Sequence, residues 1–264
     1  MSRLFVFGCS ATSWHWPTWA EMLSRSYDHY ENWGITGIGN RAIAERVSEC
    51  VVKNKIGPGD TVIVQWTHFH RHDSHVPGII VDSSWRCSGN IHTNPYELQW
   101  VKDGWVEQSY AMHSLNFIHM TQGFLKSTGC DFYFTTIDDL TPEFANLKDL
   151  EIYNDMWNSI DWIEPIYVYA RNRGFKGTPM YRSMVDMMWR VTKRTSIVDP
   201  HPTPTYQLGW LKDNLLDKLK VQVDEQYAQQ IIDVFKLVDS PDNAERIYEE
   251  QLGWKRSTTY VQGL

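Results

Sequence analysis

The chain opens Arg3-Leu4-Phe5-Val6-Phe7-Gly8-Cys9-Ser10-Ala11-Thr12, an apolar run that empties into a glycine, a cysteine and a serine. A short apolar run ended by Gly8 has the length and bounds of a buried strand. Outward from it the pattern repeats. Thr12-Ser13 offers a cap for a helix from Trp14 to Arg25, in which Trp16, Trp19, Ala20 and Leu23 recur at helical spacing. Tyr30-Glu31-Asn32-Trp33 is a second short strand, Gly34-Ile35-Thr36-Gly37-Ile38-Gly39 a glycine-rich turn, and Asn40 to Lys53 a helix with Ile43, Ala44, Val47 and Val51 on one face. Gly57-Pro58-Gly59-Asp60 then punctuates the chain before Thr61-Val62-Ile63-Val64-Gln65-Trp66, the strongest strand in the sequence. This rhythm predicts an α/β fold, a three-layer α/β/α sandwich on a central, mostly parallel sheet with right-handed crossovers. Ligands in such sheets gather outside the carboxyl ends of the strands, where Ser10, the Gly37 turn and the Thr67-His68 segment all fall.

Beyond that core the signals thin. Residues 73–103 read as a loop insertion over the ligand edge, and helical periodicity returns from Trp105 to about Lys126. Cys130 to Ile137 is another buried strand, and residues 138–178 give mixed signals and read as a second insertion. Met180 to Arg194, Thr205 to Leu219 and Asp224 to Leu237 have helical character, and the charged tail from Asp239 is expected to pack peripherally. The expected organisation is one α/β domain over 1–220 with a helical extension over 221–264 on the same domain.

Composition excludes several classes. A net charge of −7 argues against a chain that lives on phosphate backbones or anionic membrane. No stretch approaches the roughly 20 apolar residues of a membrane span, and no leader pattern precedes Gly8. Cys9, Cys50, Cys87 and Cys130 are scattered without C-x-x-C spacing, so no zinc knuckle or disulfide framework is expected, and a cytoplasmic location follows. The 13 Trp and 13 Tyr stand out, as in Trp14-His15-Trp16-Pro17-Thr18-Trp19; they suit sugar rings as well as core packing.

A serine hydroxyl needs a base, and Asp199-Pro200-His201-Pro202 supplies one. Neutral imidazole can accept the serine proton and return it to a leaving group, and Asp199 stands where a loop can aim its carboxylate at the ring. Ser10 itself is read either as a nucleophile at a sharp turn, aided by the dipole of the helix that follows, or as that helix's cap.

Taken together these segments resemble the SGNH, or GDSL-like, hydrolase superfamily. Gly8-Cys9-Ser10-Ala11-Thr12 is similar to its first block, with Cys9 where an Asp usually stands. Asn32 to Gly37 resembles the second block, whose last glycine donates an amide to the oxyanion, and Asp199 to Pro202 resembles the last. The resemblance implies a flavodoxin-like sheet, no cofactor and a Ser10, His201, Asp199 triad, with the amides of Ser10 and Gly37 in the oxyanion hole. Two departures stand out. The family's third block brings an Asn after the third strand, where this chain has Trp66-Thr67-His68-Phe69, so Thr67, His68 or Asn40 is left to fill that role. The family's Asp commonly precedes His by three positions, where Val198 stands here.

The expected activity is cleavage of an ester, with a short acyl group on a carbohydrate as substrate; a related acyltransferase is a close variant. Trp14, Trp16, Trp66, Trp85 and His68 are expected to shape the pocket, and Arg71 to meet an anionic substrate group or to hold the loop by an ion pair. Asp138-Asp139 is read as helix-capping. Two other classes stay open: a non-catalytic binding or assembly protein, and a zinc hydrolase using the run His68-Phe69-His70-Arg71-His72-Asp73-Ser74-His75, whose alternate histidines face one side of an extended segment.

Overall fold

Strand and helix alternate through the first quarter of the chain as the sequence predicts. In the computed structural model, which describes residues 2–75, 85–90, 98–144, 151–186 and 191–256, β1 (Arg3–Phe7) leads through α1 (Trp19–Ser24) to β2 (His29–Asn32). Helix α2 (Asn40–Asn54) leads on to β3 (Asp60–Trp66). A hairpin of β4 (Arg71–His75) and β5 (Trp85–Asn90), then α3 (Leu98–Gly104) and α4 (Glu107–Thr128), precede β6 (Asp131–Thr136). Helices α5 (Thr141–Phe144) and α6 (Glu151–Asn158) reach β7 (Trp162–Ile163) and α7 (Ile166–Asn172). A second hairpin, β8 (Thr178–Asp186) with β9 (Val191–Asp199), is followed by α8 (Pro204–Asn214), α9 (Leu216–Leu219), α10 (Glu225–Phe235) and α11 (Pro241–Leu252).

The central sheet runs β2-β1-β3-β6-β7 and is parallel throughout. The chain steps outward from β1 to β2 and then back past β1 to β3. Right-handed crossovers therefore put α1 on one face and α2 and α4 on the other. The packing agrees, with α4 against α2 and α6, and α8 against α1, α7 and α10. Both faces are covered, so Leu4, Phe5 and Val6 of β1 and Val62, Ile63 and Val64 of β3 are all fully buried, with no alternation. The reversal of direction leaves a crevice at the carboxyl ends of β1 and β3, the place where such folds bind ligands. Among the described residues no helix is long and apolar enough to cross a membrane, and Cys9, Cys50 and Cys130 are free and buried.

Several expectations are corrected. The first helix starts at Trp19, not Trp14: Thr18 and Glu21 close a capping box there, the Thr18 amide donating to the Glu21 carboxylate at 2.7 Å. Pro17 keeps Trp16 out of the helical region, and residues 9–13 form a single turn in which the Thr12 and Ser13 amides donate to the Cys9 carbonyl. Ser10 thus neither caps a helix nor stands at the end of its dipole. The segment read as helix over 180–194 is an antiparallel hairpin, as its β-branched Val191, Thr192, Thr195, Ile197 and Val198 favour. The helix read over 205–219 breaks at Leu215. The described parts of residues 73–103, read as a loop insertion, carry regular structure: the end of β4, β5 and most of α3. The charged tail carries α11, capped by Ser240, with Tyr248 fully buried and donating to the Ile231 carbonyl at 2.8 Å.

Candidate active site

Ser10 lies just past β1 on a turn that needs Gly8. A Cβ on Gly8 would stand 2.2 Å from Thr12 Oγ1 and 3.0 Å from Gln65, because the Thr12 hydroxyl crosses above it to donate to Gln65 Oε1 on β3 at 2.9 Å. The Thr12 carbonyl accepts from Asn32 Nδ2 at 3.0 Å and from the Thr18 hydroxyl at 2.7 Å. The turn is therefore fastened to β3, β2 and the start of α1. Ser10 is only 6% exposed, and among the described residues neither its hydroxyl nor its amide is engaged in a hydrogen bond.

The glycine-rich turn after β2 is tied to the Ser10 turn by three contacts. The Ile35 amide donates to the Gly8 carbonyl at 3.0 Å, the Thr36 hydroxyl donates to the Ser13 carbonyl at 2.9 Å, and Arg256 Nη2 donates to Thr36 Oγ1 at 2.6 Å and to the Ser13 carbonyl at 3.3 Å. Gly37 has φ of 82°, a left-handed conformation that a side chain disfavours, and its amide also has no partner among the described residues. Two open amides, at Ser10 and Gly37, thus stand on adjoining turns.

The segment after β3 braces this arrangement from the other side. Asn40 and Thr67 lock together, Asn40 Nδ2 donating to the Thr67 carbonyl and the Thr67 amide to Asn40 Oδ1, both at 2.9 Å. Asn40 is 3% exposed and Thr67 wholly buried, and the pair acts as a strut between α2 and β3. Asp73 reaches the N-terminus of α2, where it accepts from the Gly39 amide at 2.8 Å and the Ala42 amide at 3.2 Å. Burial dominates and pushes its carboxyl up to about 6, against those two amides. Arg71 Nη1 donates to the Ile38 carbonyl at 3.1 Å, which puts a guanidinium beside the Gly37 turn. Trp66, expected in the pocket, has no exposed surface and packs edge-on to Phe134. The Trp85 side chain lies outside the described residues.

Asp199 ends β9 and His201 follows it on the proline-stiffened loop. Asp199 Oδ1 accepts from both the His201 amide and His201 Nδ1, each at 2.8 Å. A carboxylate only accepts, so Nδ1 carries a proton and the ring turns Nε2 away from Asp199. Trp14, from the Ser10 turn, stacks on the imidazole with centroids 3.6 Å apart and planes at 21°. Tyr167, at the start of α7, meets the same ring edge-on at 6.1 Å. Burial raises the Tyr167 phenol well above its usual range, and Cys9 and Asp199 push it further while Arg71 opposes them. That single phenol feels all three segments. No hydrogen bond joins Ser10 to His201. Sequence reading missed Gln207, which is 2% exposed: its Oε1 accepts from the Trp19 amide and its Nε2 donates to the Pro202 carbonyl, both at 2.7 Å. It ties the histidine loop to α1. The signal was only a polar residue one turn into α8.

The histidine run divides. His72 Nδ1 pairs with the Tyr110 hydroxyl at 2.9 Å, and the His75 side chain lies outside the described residues. His68 and His70 instead turn to Glu143 on α5: His68 Nδ1 bonds its carboxylate, His70 Nδ1 lies 3.6 Å from Oε2, and the Phe69 amide donates to Oε2 at 2.6 Å. Burial raises the Glu143 carboxyl, but the two histidines outweigh it and hold it down to about 2. Glu143 escaped the sequence reading because nothing in residues 138–178 marked it. Asp139 accepts from the Thr141 amide at 2.9 Å in the turn before α5, and Asp138 pairs with Arg171.

No protein-family model matches the chain, and no curated protein does. Solved structures overlap it in part. A putative acylhydrolase from Bacteroides fragilis is 14% identical, covers 83% of this chain and 86% of its own, and gives a TM-score of 0.41. A GDSL-like lipase from Bacteroides thetaiotaomicron is 12% identical over 83% of this chain and 87% of its own, with a TM-score of 0.42. An acetylxylan esterase from Geobacillus stearothermophilus, solved as a catalytic mutant, is 11% identical over 66% and 80%, with a TM-score of 0.37. These overlaps are too loose to carry the fold assignment, which rests on the strand order and crossovers.

Proposed function

We propose that the chain is a serine hydrolase of the SGNH type that cleaves an ester through an acyl-enzyme. The observation that carries this reading is the Asp199–His201 pair at 2.8 Å with Trp14, from the nucleophile's own turn, stacked on the imidazole. Ser10 Oγ attacks the acyl carbon and its proton passes to His201 Nε2, while Asp199 holds the proton on Nδ1. The carbonyl oxygen gains the negative charge and takes hydrogen bonds from the Ser10 and Gly37 amides. Collapse breaks the ester bond, and the alcohol leaves with the proton from Nε2. Water, deprotonated by the same nitrogen, then attacks the acyl-enzyme and frees Ser10. The missing Ser10–His201 bond is consistent with this course, since such contacts tighten when substrate is bound.

In place of a third amide, Arg71 beside the Gly37 turn supplies positive charge near the oxyanion. Trp14, half-buried beside the imidazole, is the wall on which a sugar would lie, which supports a short acyl group on a carbohydrate as substrate. A fluorophosphonate probe tests the reading. Labelling that disappears in Ser10→Ala and His201→Ala is expected; a folded wild type that never labels, and hydrolyses neither p-nitrophenyl acetate nor acetylated sugars, returns the chain to the binding or assembly class.

A further inference from the structure

We propose that His68, His70 and Glu143 form a divalent transition-metal site, of the zinc class, that fastens the loop after β3 to α5. The site is separate from the proposed triad and differs from the zinc reading of the sequence, since His72 is committed to Tyr110 and the third ligand comes from another element. The two imidazoles flank Phe69 in a turn closed by the Arg71 amide on the His68 carbonyl; they stack with centroids 5.0 Å apart and planes at 18°, and both turn Nδ1 towards Glu143. One ligand atom from each of the three residues falls within 4.8 Å of the others. A tetrahedral zinc ion, with bonds of about 2.0–2.2 Å, needs neighbouring ligand atoms about 3.3–3.6 Å apart. The 3.6 Å between His70 Nδ1 and Glu143 Oε2 already meets that spacing, and a small retreat of His68 completes it.

The surroundings suit an ion. The Phe69 amide holds Glu143 Oε2 at 2.6 Å, an outer-shell bond that aims the carboxylate at the imidazoles. The three side chains are 21–27% exposed, which lets an ion enter and leaves water as its fourth ligand. One carboxylate and two neutral imidazoles favour zinc or its neighbours over calcium or magnesium, which take oxygen ligands. The ion's role is positional. That loop runs straight into β4, whose Arg71 and Asp73 hold the Gly37 turn by bonds to Ile38, Gly39 and Ala42, so pinning His68 and His70 steadies that turn from a distance.

The experiment uses the whole chain, stripped with EDTA and titrated with Zn2+ by calorimetry and with Co2+ by absorption spectroscopy. The wild type is expected to bind about one ion per chain with the visible bands of a tetrahedral site, and to melt higher with Zn2+ present. His72→Ala and Ser10→Ala are expected to bind like the wild type. His70→Ala and Glu143→Gln are expected to lose more than the roughly 10–100-fold in affinity that an outer-shell loss costs, and His70→Cys to keep the ion. Melting of the stripped variants at the stripped wild-type temperature separates lost binding from lost folding. A wild type without stoichiometric binding, or binding that survives both His70→Ala and Glu143→Gln, overturns the proposal. Fluorophosphonate labelling of Ser10, read on the same samples, reports the hydrolase reading independently.

Discussion

Gln207→Leu removes a side chain that joins the histidine loop to the first helix. Leucine fills nearly the same space, so the change deletes two hydrogen bonds at a 2% exposed position with little cavity, leaving the Trp19 amide and the Pro202 carbonyl without their 2.7 Å partners. Each bond is worth about 1 kcal/mol net, and each stranded buried group adds to that, which gives a loss of about 2–4 kcal/mol. In a chain of this size that lowers the melting temperature by on the order of 5–15 °C. Urea unfolding should show a lower midpoint with an unchanged slope. Gln207→Glu separates the two ends of the bridge. Its carboxylate still accepts from the Trp19 amide, at a helix N-terminus that favours negative charge, but has no proton for the Pro202 carbonyl. This variant should keep more stability than Gln207→Leu yet label more slowly at Ser10, and recover labelling relative to wild type as pH falls and the acid is protonated. A Leu variant within about 1 kcal/mol of wild type, or a Glu variant that labels normally at neutral pH, would refute the bridge.

Trp14→Ala removes the stack on His201; an aromatic partner for the imidazolium formed during attack is worth about 0.5–2 kcal/mol, so turnover should fall about 2- to 30-fold with Trp14→Phe recovering most of it, measured by ester hydrolysis. Asp73 has a folded pKa of about 6 against an ordinary value of 3.8, so the native chain keeps a proton that the unfolded chain releases. Stability should therefore fall as pH rises from about 4 through about 6, by about 3 kcal/mol from this group, and urea unfolding of Asp73→Asn should lack that slope; parallel profiles would count against it. Gly8→Ala sets a methyl 2.2 Å from Thr12 Oγ1 and should cost about 1–3 kcal/mol with loss of probe labelling, checked by thermal melts beside labelling. Arg256→Ala frees Thr36 and Ser13 and should slow labelling while leaving the bulk unfolding midpoint within about 1–2 kcal/mol of wild type.

What the sequence reveals depends on how local the cause is. β1, β2, α2, β3, α4 and β6 are legible because long apolar runs or one-sided periodicity mark them, and turn residues bound them. β7 is not, because two residues, Trp162 and Ile163, carry no periodicity and exist only by pairing with Phe134 and Thr135. The β8–β9 hairpin is misread because apolar residues at mixed spacing fit both periods, and cross-strand pairing decides. Asp199 and His201 are legible as a pair because they adjoin in sequence. Gln207, Tyr167, Glu143 and Arg256 are not, because each acts across the fold on a partner that no sequence window contains.

The same distinction bears on the third oxyanion donor that the proposed hydrolase would need. An amide side chain after β3 would sit at the crevice by local sequence alone, and this chain lacks it. Asn40 has the right chemistry and a neighbouring position, yet both ends of its amide are held by the backbone of Thr67, which fixes where its second Nδ2 hydrogen points. Freeing it would strand a buried N–H and a buried carbonyl at about 1–3 kcal/mol each, more than one new bond to an oxyanion returns in the ground state. The strut is therefore kept, and in the proposed hydrolase the charge near Gly37 comes from Arg71, which among the described residues spends one of its five donors, on Ile38. If that assignment holds, Arg71→Lys should fall well short of wild type in hydrolysis, because a single ammonium cannot serve the Ile38 carbonyl and face the oxyanion with a rigid fork. Equal rates for the two would remove Arg71 from the site and leave the two backbone amides as its whole oxyanion support.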